Sequence, residues 1–223
     1  MLAACGSSGS ASTARTQAAT GPSTRPSSSG PGASSIPYQL HMDFFSHEAH
    51  LSTVIDPQVF SAAPGSPART GPQMVHHVAG LAPARKASPA ATPLFAADRS
   101  PLGITLGVWE KAAGTASFNC REGQERLTSR LTGLVPNGSY SVFVVHLDVT
   151  GPKRFTPWGK AQGTTNNFTA GPTGSASLTN TVQDCLNNRA AAVVIWHSDG
   201  KPHGATPGTL GLTWHNSLIT PLP

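Results

Sequence analysis

The sequence predicts an all-β protein, an antiparallel β-sandwich that follows a disordered tether. The 223 residues include 23 glycines and 20 prolines, which favours a chain rich in turns. Many short segments alternate apolar and polar residues with a period of two, and turn-forming residues separate them. No helical period of useful length is present. Many short strands separated by turns are typical of sandwiches and barrels.

The N-terminal part of the chain predicts a tether. From Gly6 to Ser35 there is no Val, Leu, Ile, Phe, Tyr or Trp, and the only charges are Arg15 and Arg25. Such a segment has no apolar surface to bury, so nothing offsets the entropy lost on ordering. We therefore expect residues 1–35 to be a flexible Ser/Gly/Thr/Pro tether and residues 36–223 to form a single β-sandwich domain.

The first strand is predicted in the segment "IPYQLHMDFF". Tyr38, Leu40, Met42 and Phe44 alternate with polar residues, which is the pattern of a half-buried strand. Further strands are predicted at 51–55, 74–81, 104–109, 115–119, 126–131, 139–148, 175–178, 191–197 and 210–214. Glycine, proline, asparagine or aspartate bounds each of them.

One segment resembles a known family. "LTGLVPNGSYSVFVV" contains Leu131, Leu134, Pro136, Gly138 and Tyr140, followed by an alternating strand. It resembles the segment that leads into the tyrosine corner of fibronectin type III and other immunoglobulin-like domains. The resemblance implies that the Tyr140 hydroxyl bonds to backbone a few residues upstream. Because a long stretch follows Asp148, we expect an enlarged immunoglobulin-like sandwich.

The start of the chain resembles another family. Leu2-Ala3-Ala4-Cys5 is similar to the lipobox of bacterial lipoproteins, and it stands directly before the tether. The resemblance implies that Cys5 carries lipid and that the protein is anchored to a membrane surface outside the cytoplasm. A signal peptide needs an apolar run before its cleavage site. This interpretation therefore expects a translation start upstream of Met1, and a chance match is the alternative.

The cysteine count agrees with an oxidising compartment. Of the three cysteines, lipidation of Cys5 leaves Cys120 and Cys185 as a pair. We expect a disulfide between them in a secreted or lipid-anchored protein. It would contribute about 4 kcal/mol in the chain-entropy model. In a cytoplasmic protein they would be two unrelated buried thiols.

Several functional classes are excluded or disfavoured by the sequence. The positive charge is scattered and lacks interleaved aromatic residues, so we expect no nucleic-acid partner. No nucleophile elbow, phosphate-binding loop or dinucleotide fingerprint is present. His47-Glu48-Ala49-His50 is one residue short of the metalloprotease motif. The leading hypothesis is a binding or structural module of a bacterial cell envelope, with an unidentified protein or small-molecule ligand.

Three other hypotheses concern the histidines of the segment "IWHSDGKPHGATPGTLGLTWHNS". Paired as a simple hairpin, it would set His197 near Leu210 and place His215 about 17 Å away. The best local candidate for a copper or zinc site is then His197, Asp199 and His203. A hydrolase that uses His197 or His203 as its acid or base is a further alternative. The third is a purely structural role, since Asp-Gly is a strong turn signal.

Overall fold

The chain folds into antiparallel sheets packed face to face, which confirms the predicted all-β sandwich. The computed structural model describes residues 35–150 and 154–223. The proposed lipidation site Cys5 and the predicted tether up to residue 34 lie outside these residues. Among the described residues, no helix is both long and apolar enough to cross a membrane.

The regular elements are short, as the turn-rich composition predicts. The strands are β1 Ser35–Pro37, β2 Gln39–Leu40, β3 Ile55–Ala62, β4 Arg69–Thr70, β5 His76–His77, β6 Leu81–Arg85, β7 Pro93–Phe95, β8 Pro101–Thr105, β9 Ala113–Arg121, β10 Gln124–Thr132, β11 Ser139–His146, β12 Phe155–Pro157, β13 Asn167–Thr169, β14 Ala176–Gln183, β15 Ala190–His197 and β16 Trp214–Pro221. The helices are α1 His41–Glu48 and α2 Leu106–Trp109, with a 3₁₀ turn at Pro72–Met74.

The described residues form four sheets, of which a small one pairs β4 with β5 and the other three build the core. Sheet 1 has the order β1-β9-β10-β14, sheet 2 has the order β12-β11-β15-β16-β2 with β13 also on β11, and sheet 3 has the order β6-β3-β7-β8. The main core contains Leu127 and Leu131 of sheet 1 together with Val142, Val194 and Leu218 of sheet 2. Sheets 1 and 2 therefore bury their inner faces against each other.

Sheet 2 is also apolar on its outer face. Phe143, Val145, Val193, Ile195 and Ile219 form a second buried cluster, and Phe44 of α1 packs against it. Every residue of β15 is buried, so its side chains are covered on both faces. A sheet buried on both faces requires another element over its outer side, and α1 supplies part of that cover.

The helix α1 corrects the predicted first strand. Residues 41–48 are helical, whereas alternation predicted a strand through Phe44. His41, Met42 and Ser46 are buried, and this spacing fits one face of a helix, whereas a strand would point His41 and Met42 to opposite faces. The apolar outer face of sheet 2 favours the helix, because Phe44 packs there and is partly buried.

Other predicted boundaries were also wrong. β3 begins at Ile55 where a strand had been predicted to end, residues 72–74 and 106–109 are helical turns, and residues 210–213 belong to a turn before β16. In that turn the backbone N–H groups of Leu212 and Thr213 donate to the Thr209 carbonyl at 3.0 Å. These bonds take the backbone out of the strand conformation up to Trp214.

The structure contains the predicted disulfide and the predicted hydrogen bond of Tyr140. Cys120 and Cys185 form a disulfide with a Cα to Cα distance of 5.4 Å, as predicted. It ties β9 to the segment after β14. Tyr140 is fully buried on β11, and its hydroxyl accepts a hydrogen bond of 2.7 Å from the Val135 backbone N–H. This bond holds the turn before β11, in the manner that the tyrosine-corner resemblance implies.

Candidate functional site

A bulge in β16 determines which side chains reach the outer face of sheet 2. Val194 pairs with Leu218, but the next residue, Ile195, pairs with Asn216, so Ser217 is an extra residue. Leu218 therefore points into the main core, while Trp214 and Asn216 lie on the outer face. Bulges commonly redirect side chains beside functional sites.

Between α1 and sheet 2 lies a groove of about 600 Å³. We call it the α1 groove. It is lined by side chains from six separate parts of the chain: His41, Phe44, Phe45, Glu48 and Ala49 of α1 and its end, Gln58 of β3, Gln73 and Met74 of the 3₁₀ turn, Val145 and Leu147 of β11 and its end, Arg154 and Phe155, and Val193, Leu210, Trp214, Asn216 and Ile219 from β15 onward. Its walls are mostly apolar and aromatic.

The rim of the α1 groove exposes apolar side chains to water. Met74 is 83% exposed and Leu147 is 40% exposed, and both line the groove. Phe155 and Trp214 meet edge to face, with ring centroids 4.7 Å apart. Apolar surface left exposed around a concave site is typical of ligand-binding grooves.

A hydrogen-bonded network of polar side chains stands at one end of the groove, and His41, Gln58 and Asn216 in it are buried. The side-chain amides of Gln73 and Asn216 both donate to Nε2 of His41, at 3.4 and 3.3 Å. The Gln58 amide donates to Gln73 at 2.6 Å, and its oxygen accepts from the Asn216 backbone N–H at 2.6 Å. The Trp214 indole N–H donates to the Asn216 oxygen at 2.6 Å. The network thus joins four distant segments and fixes the orientation of each amide.

Two residues of the groove lining have a strained backbone. Gln73 and Met74 have φ values of 55° and 61°, in the left-handed region that side chains other than glycine rarely adopt. Each such residue costs on the order of 1 kcal/mol or more, and such residues cluster at ligand-binding sites. The bond from Gln58 and the contact with His41 hold Gln73 in this conformation.

The electrostatics of the groove are set by Arg154. Burial, and then the positive charge of Arg154, lower the pKa of His41 to about 3, so its ring is neutral. Within the part of the chain that the structure describes, no carboxylate lies at ion-pair distance from Arg154. Glu48 also lines the groove, but it contacts His47 at 3.4 Å. Arg154 thus brings a positive charge close enough to His41 to act on the pKa of its ring.

Of the histidine segment predicted from the sequence, Leu210, Trp214 and Asn216 line the groove, whereas His197, Asp199 and His203 are not among its lining residues. Nε2 of His203 contacts the Asp199 carboxylate at 3.1 Å, and the His203 ring lies 4.8 Å from the His197 ring, centroid to centroid. Nε2 of His197 bonds to the Ser141 hydroxyl at 2.7 Å instead. The structure thus brings the three predicted residues together, but as two separate hydrogen-bonded pairs.

The loop over His197 is tightly packed. A Cβ on Gly163 would collide with the Gly204 backbone, and a Cβ on Gly208 would press on the His203 ring. Both glycines have positive φ values. This packing holds residues 198–213 against the end of sheet 2, in agreement with a structural role for the segment.

These residues do not fit a copper or zinc site. Across residues 35–150 and 154–223, no group of three or more His, Cys, Asp or Glu side chains is placed to hold a metal ion. Nδ1 of His197 is buried without a hydrogen-bond partner, and Nε2 is occupied by Ser141. Binding of copper or zinc through His197, Asp199 and His203 stays a prediction, and its geometric support is limited to the His203–Asp199 pair.

The geometry of His197 does not fit the acid or base of a hydrolase, and the alternative that uses His203 stays a prediction. Ser141 and His197 are each 1% exposed, so a substrate has no access to the hydroxyl. Burial, followed by the neighbouring His203, lowers the pKa of His197 to about 4, which makes it a weak base at neutral pH. Asp199 contacts His203, and no carboxylate orients His197.

The predicted separation of His197 from His215 was wrong. His197 pairs with Trp214, and His215 pairs with the adjacent residue Trp196, so the two histidines lie close together on neighbouring strands. The hairpin register failed because residues 198–213 form a long loop instead of continuing the ladder. Adjacent strand residues point to opposite faces, and the His215 ring packs on the Trp196 indole at 5.6 Å.

No protein-family model matches the chain, and no curated protein matches it either. A functional proposal must therefore rest on the chemistry of the α1 groove. Sequence reasoning missed this groove. The signal that could have indicated it is the continuous apolar run "AAAVVIW" in β15, which predicts a strand buried on both faces and hence an element over the outer face.

Proposed function

We propose that this chain is a binding module that takes a small, largely apolar ligand in the α1 groove. One observation carries the proposal: a concave apolar site of about 600 Å³ has convergent polar groups at one end. Small-ligand sites typically measure roughly 300–1,000 Å³ and are lined by apolar and aromatic residues with a few fixed polar groups.

Two features distinguish this groove from an incidental cleft. The bulge at Ser217 and the left-handed residues Gln73 and Met74 are costly irregularities, and both place side chains in the groove. The network around His41 makes the polar end rigid before any ligand arrives. Rigid sites bind more tightly because less freedom is lost on binding.

The proposed place of action is outside the cytoplasm, in a bacterial cell envelope. The disulfide between Cys120 and Cys185 supports an oxidising compartment. The lipobox-like sequence at Cys5 supports anchoring to a membrane surface, with secretion as the alternative. If lipid is attached, protein made in bacteria from the translation start expected upstream of Met1 partitions into the detergent phase, and Cys5→Ser moves it to the aqueous phase. Equal partitioning of both proteins would contradict the anchor.

Binding in the groove can be tested with Nile red, a neutral dye that fluoresces in apolar surroundings. Ala49 is exposed and lines the groove, so Ala49→Trp fills the groove without disturbing the core. Ala161→Trp, at an exposed position away from the groove, is the matched control. We expect saturable dye binding by the wild type and the control, and loss of at least about tenfold in affinity for Ala49→Trp. Equal binding by all three would refute the proposal.

A further inference from the structure

The chemistry of the α1 groove also indicates which ligand it takes. Resting on the proposed function, we infer that the ligand is an amphipathic carboxylic acid: an apolar chain or ring along sheet 2 and a carboxylate at Arg154. Such a molecule matches the division of the groove into an apolar length and a polar end, with Arg154 in the lining.

The apolar part of the ligand has a defined surface to cover. Val145, Val193 and Ile219 form the floor, and Phe155 and Trp214 form an aromatic wall. These side chains offer no hydrogen-bond partner along the floor, so a polar body would lose its bonds to water there. The exposed thioether of Met74 at the rim is flexible enough to close over a chain or a ring.

The polar end offers hydrogen-bond donors that the network does not use. The amides of Gln73 and Asn216 each use one N–H on His41, and each amide has a second N–H. Their oxygens each already accept one hydrogen bond, from Gln58 and from Trp214. Nε2 of His41 is occupied as well. A carboxylate only accepts hydrogen bonds, so it is complementary to this end, whereas an ammonium group only donates.

Charge favours the same ligand. Arg154 is exposed and has no carboxylate partner among the described residues, so its guanidinium is free to bind a carboxylate in a charge-assisted pair. The nearby His41 is neutral and adds no competing charge. Glu48 is the one acid in the lining, and its carboxylate contacts His47 at the exposed side of α1, at 3.4 Å.

The test uses three probes of equal length, decanoate, decanol and decylamine, titrated calorimetrically into the full-length protein. We expect decanoate to bind about tenfold more tightly than decanol, and decylamine most weakly. Arg154→Gln should remove the advantage of decanoate and leave decanol unchanged. Arg130→Gln, an exposed arginine on sheet 1, is the control and should change nothing.

The outcomes separate this inference from the proposed function. If decanol and decanoate bind equally, and Ala49→Trp blocks both, the groove binds ligands but the carboxylate inference is wrong. Tightest binding of decylamine would overturn the inference as well, since Glu48 would then attract the ligand. If none of the three binds, the proposed function itself fails. If Arg154→Gln weakens decanol as much as decanoate, Arg154 only supports the groove and its assigned role is overturned.

Discussion

The buried histidines predict a loss of stability in mild acid, and His215 is the sharpest case. His215 is 0% exposed, and burial lowers its pKa to about 4 despite its hydrogen bond to the Gln58 carbonyl. The unfolded chain takes up a proton at this residue near pH 6.5, whereas the folded chain does so only near pH 4. Its contribution to stability is therefore complete above pH 6.5 and is lost as the pH falls toward 4.

The size of this loss of stability follows from the interval between the two pKa values of His215. One proton taken up only on unfolding changes the free energy of unfolding by about 1.4 kcal/mol per pH unit. Over the window this amounts to about 3 kcal/mol for His215. His41 and His197 act in the same direction. Asp56 acts in the opposite direction, because burial raises its pKa to about 6, and its contribution is lost as the pH rises through that value.

The assay compares the wild type with a variant, so that the contributions of His41, His197 and Asp56 to the pH dependence are the same in both and cancel in the difference. Urea unfolding of the wild type and His215→Gln is followed by tryptophan fluorescence between pH 7 and pH 4.5. Glutamine can still donate to the Gln58 carbonyl but does not titrate, so its curve should be shallower by about 1.4 kcal/mol per pH unit. His47→Gln is the control, since the His47 side chain is 85% exposed. Parallel curves for the wild type and His215→Gln would refute the reasoning.

Three further predictions concern the cross-links and the histidine segment. Replacing both Cys120 and Cys185 by Ser should lower the free energy of unfolding by about 4 kcal/mol, measured in urea, and an unchanged midpoint would contradict a stabilising disulfide. Tyr140→Phe leaves the Val135 N–H without its acceptor and should cost about 1–3 kcal/mol in the same assay; a loss within error would mean that water replaces the hydroxyl. Elemental analysis of full-length protein made without a histidine tag should find less than about a tenth of an equivalent of copper or zinc, because metal binding needs a complete ligand set. A full equivalent that disappears in His203→Ala would restore the metal hypothesis.

The sequence predicted those features that depend on local pattern or on counting. The β class followed from alternation and from glycine and proline, and the disulfide followed from the number of cysteines. The helix α1 could not be predicted, because "HMDFF" fits one turn of a helix and a strand equally well. The helix forms because the apolar outer face of sheet 2 needs an element to cover it. This need is visible only in the tertiary structure.

The groove was hidden for a related reason. Its lining comes from segments far apart in sequence, and the bulge at Ser217 reverses the face on which Asn216 lies. A bulge of this kind leaves no clear mark in "WHNSLITP", so alternation alone would have placed Asn216 and Leu218 on the same face. The histidine segment drew attention because histidine is conspicuous in composition, but its rings form hydrogen bonds with their neighbours.

The central claim is that the α1 groove binds a small apolar ligand, and an NMR titration with decanol tests it most directly. Decanol carries no charge, so the result does not depend on the carboxylate inference. We predict that the largest shift changes occur at the Trp214 indole N–H and at the side-chain amides of Gln73 and Asn216, and that Ala49→Trp abolishes them. Saturable changes confined to residues outside the groove, or no change up to the solubility limit of decanol, would contradict the claim.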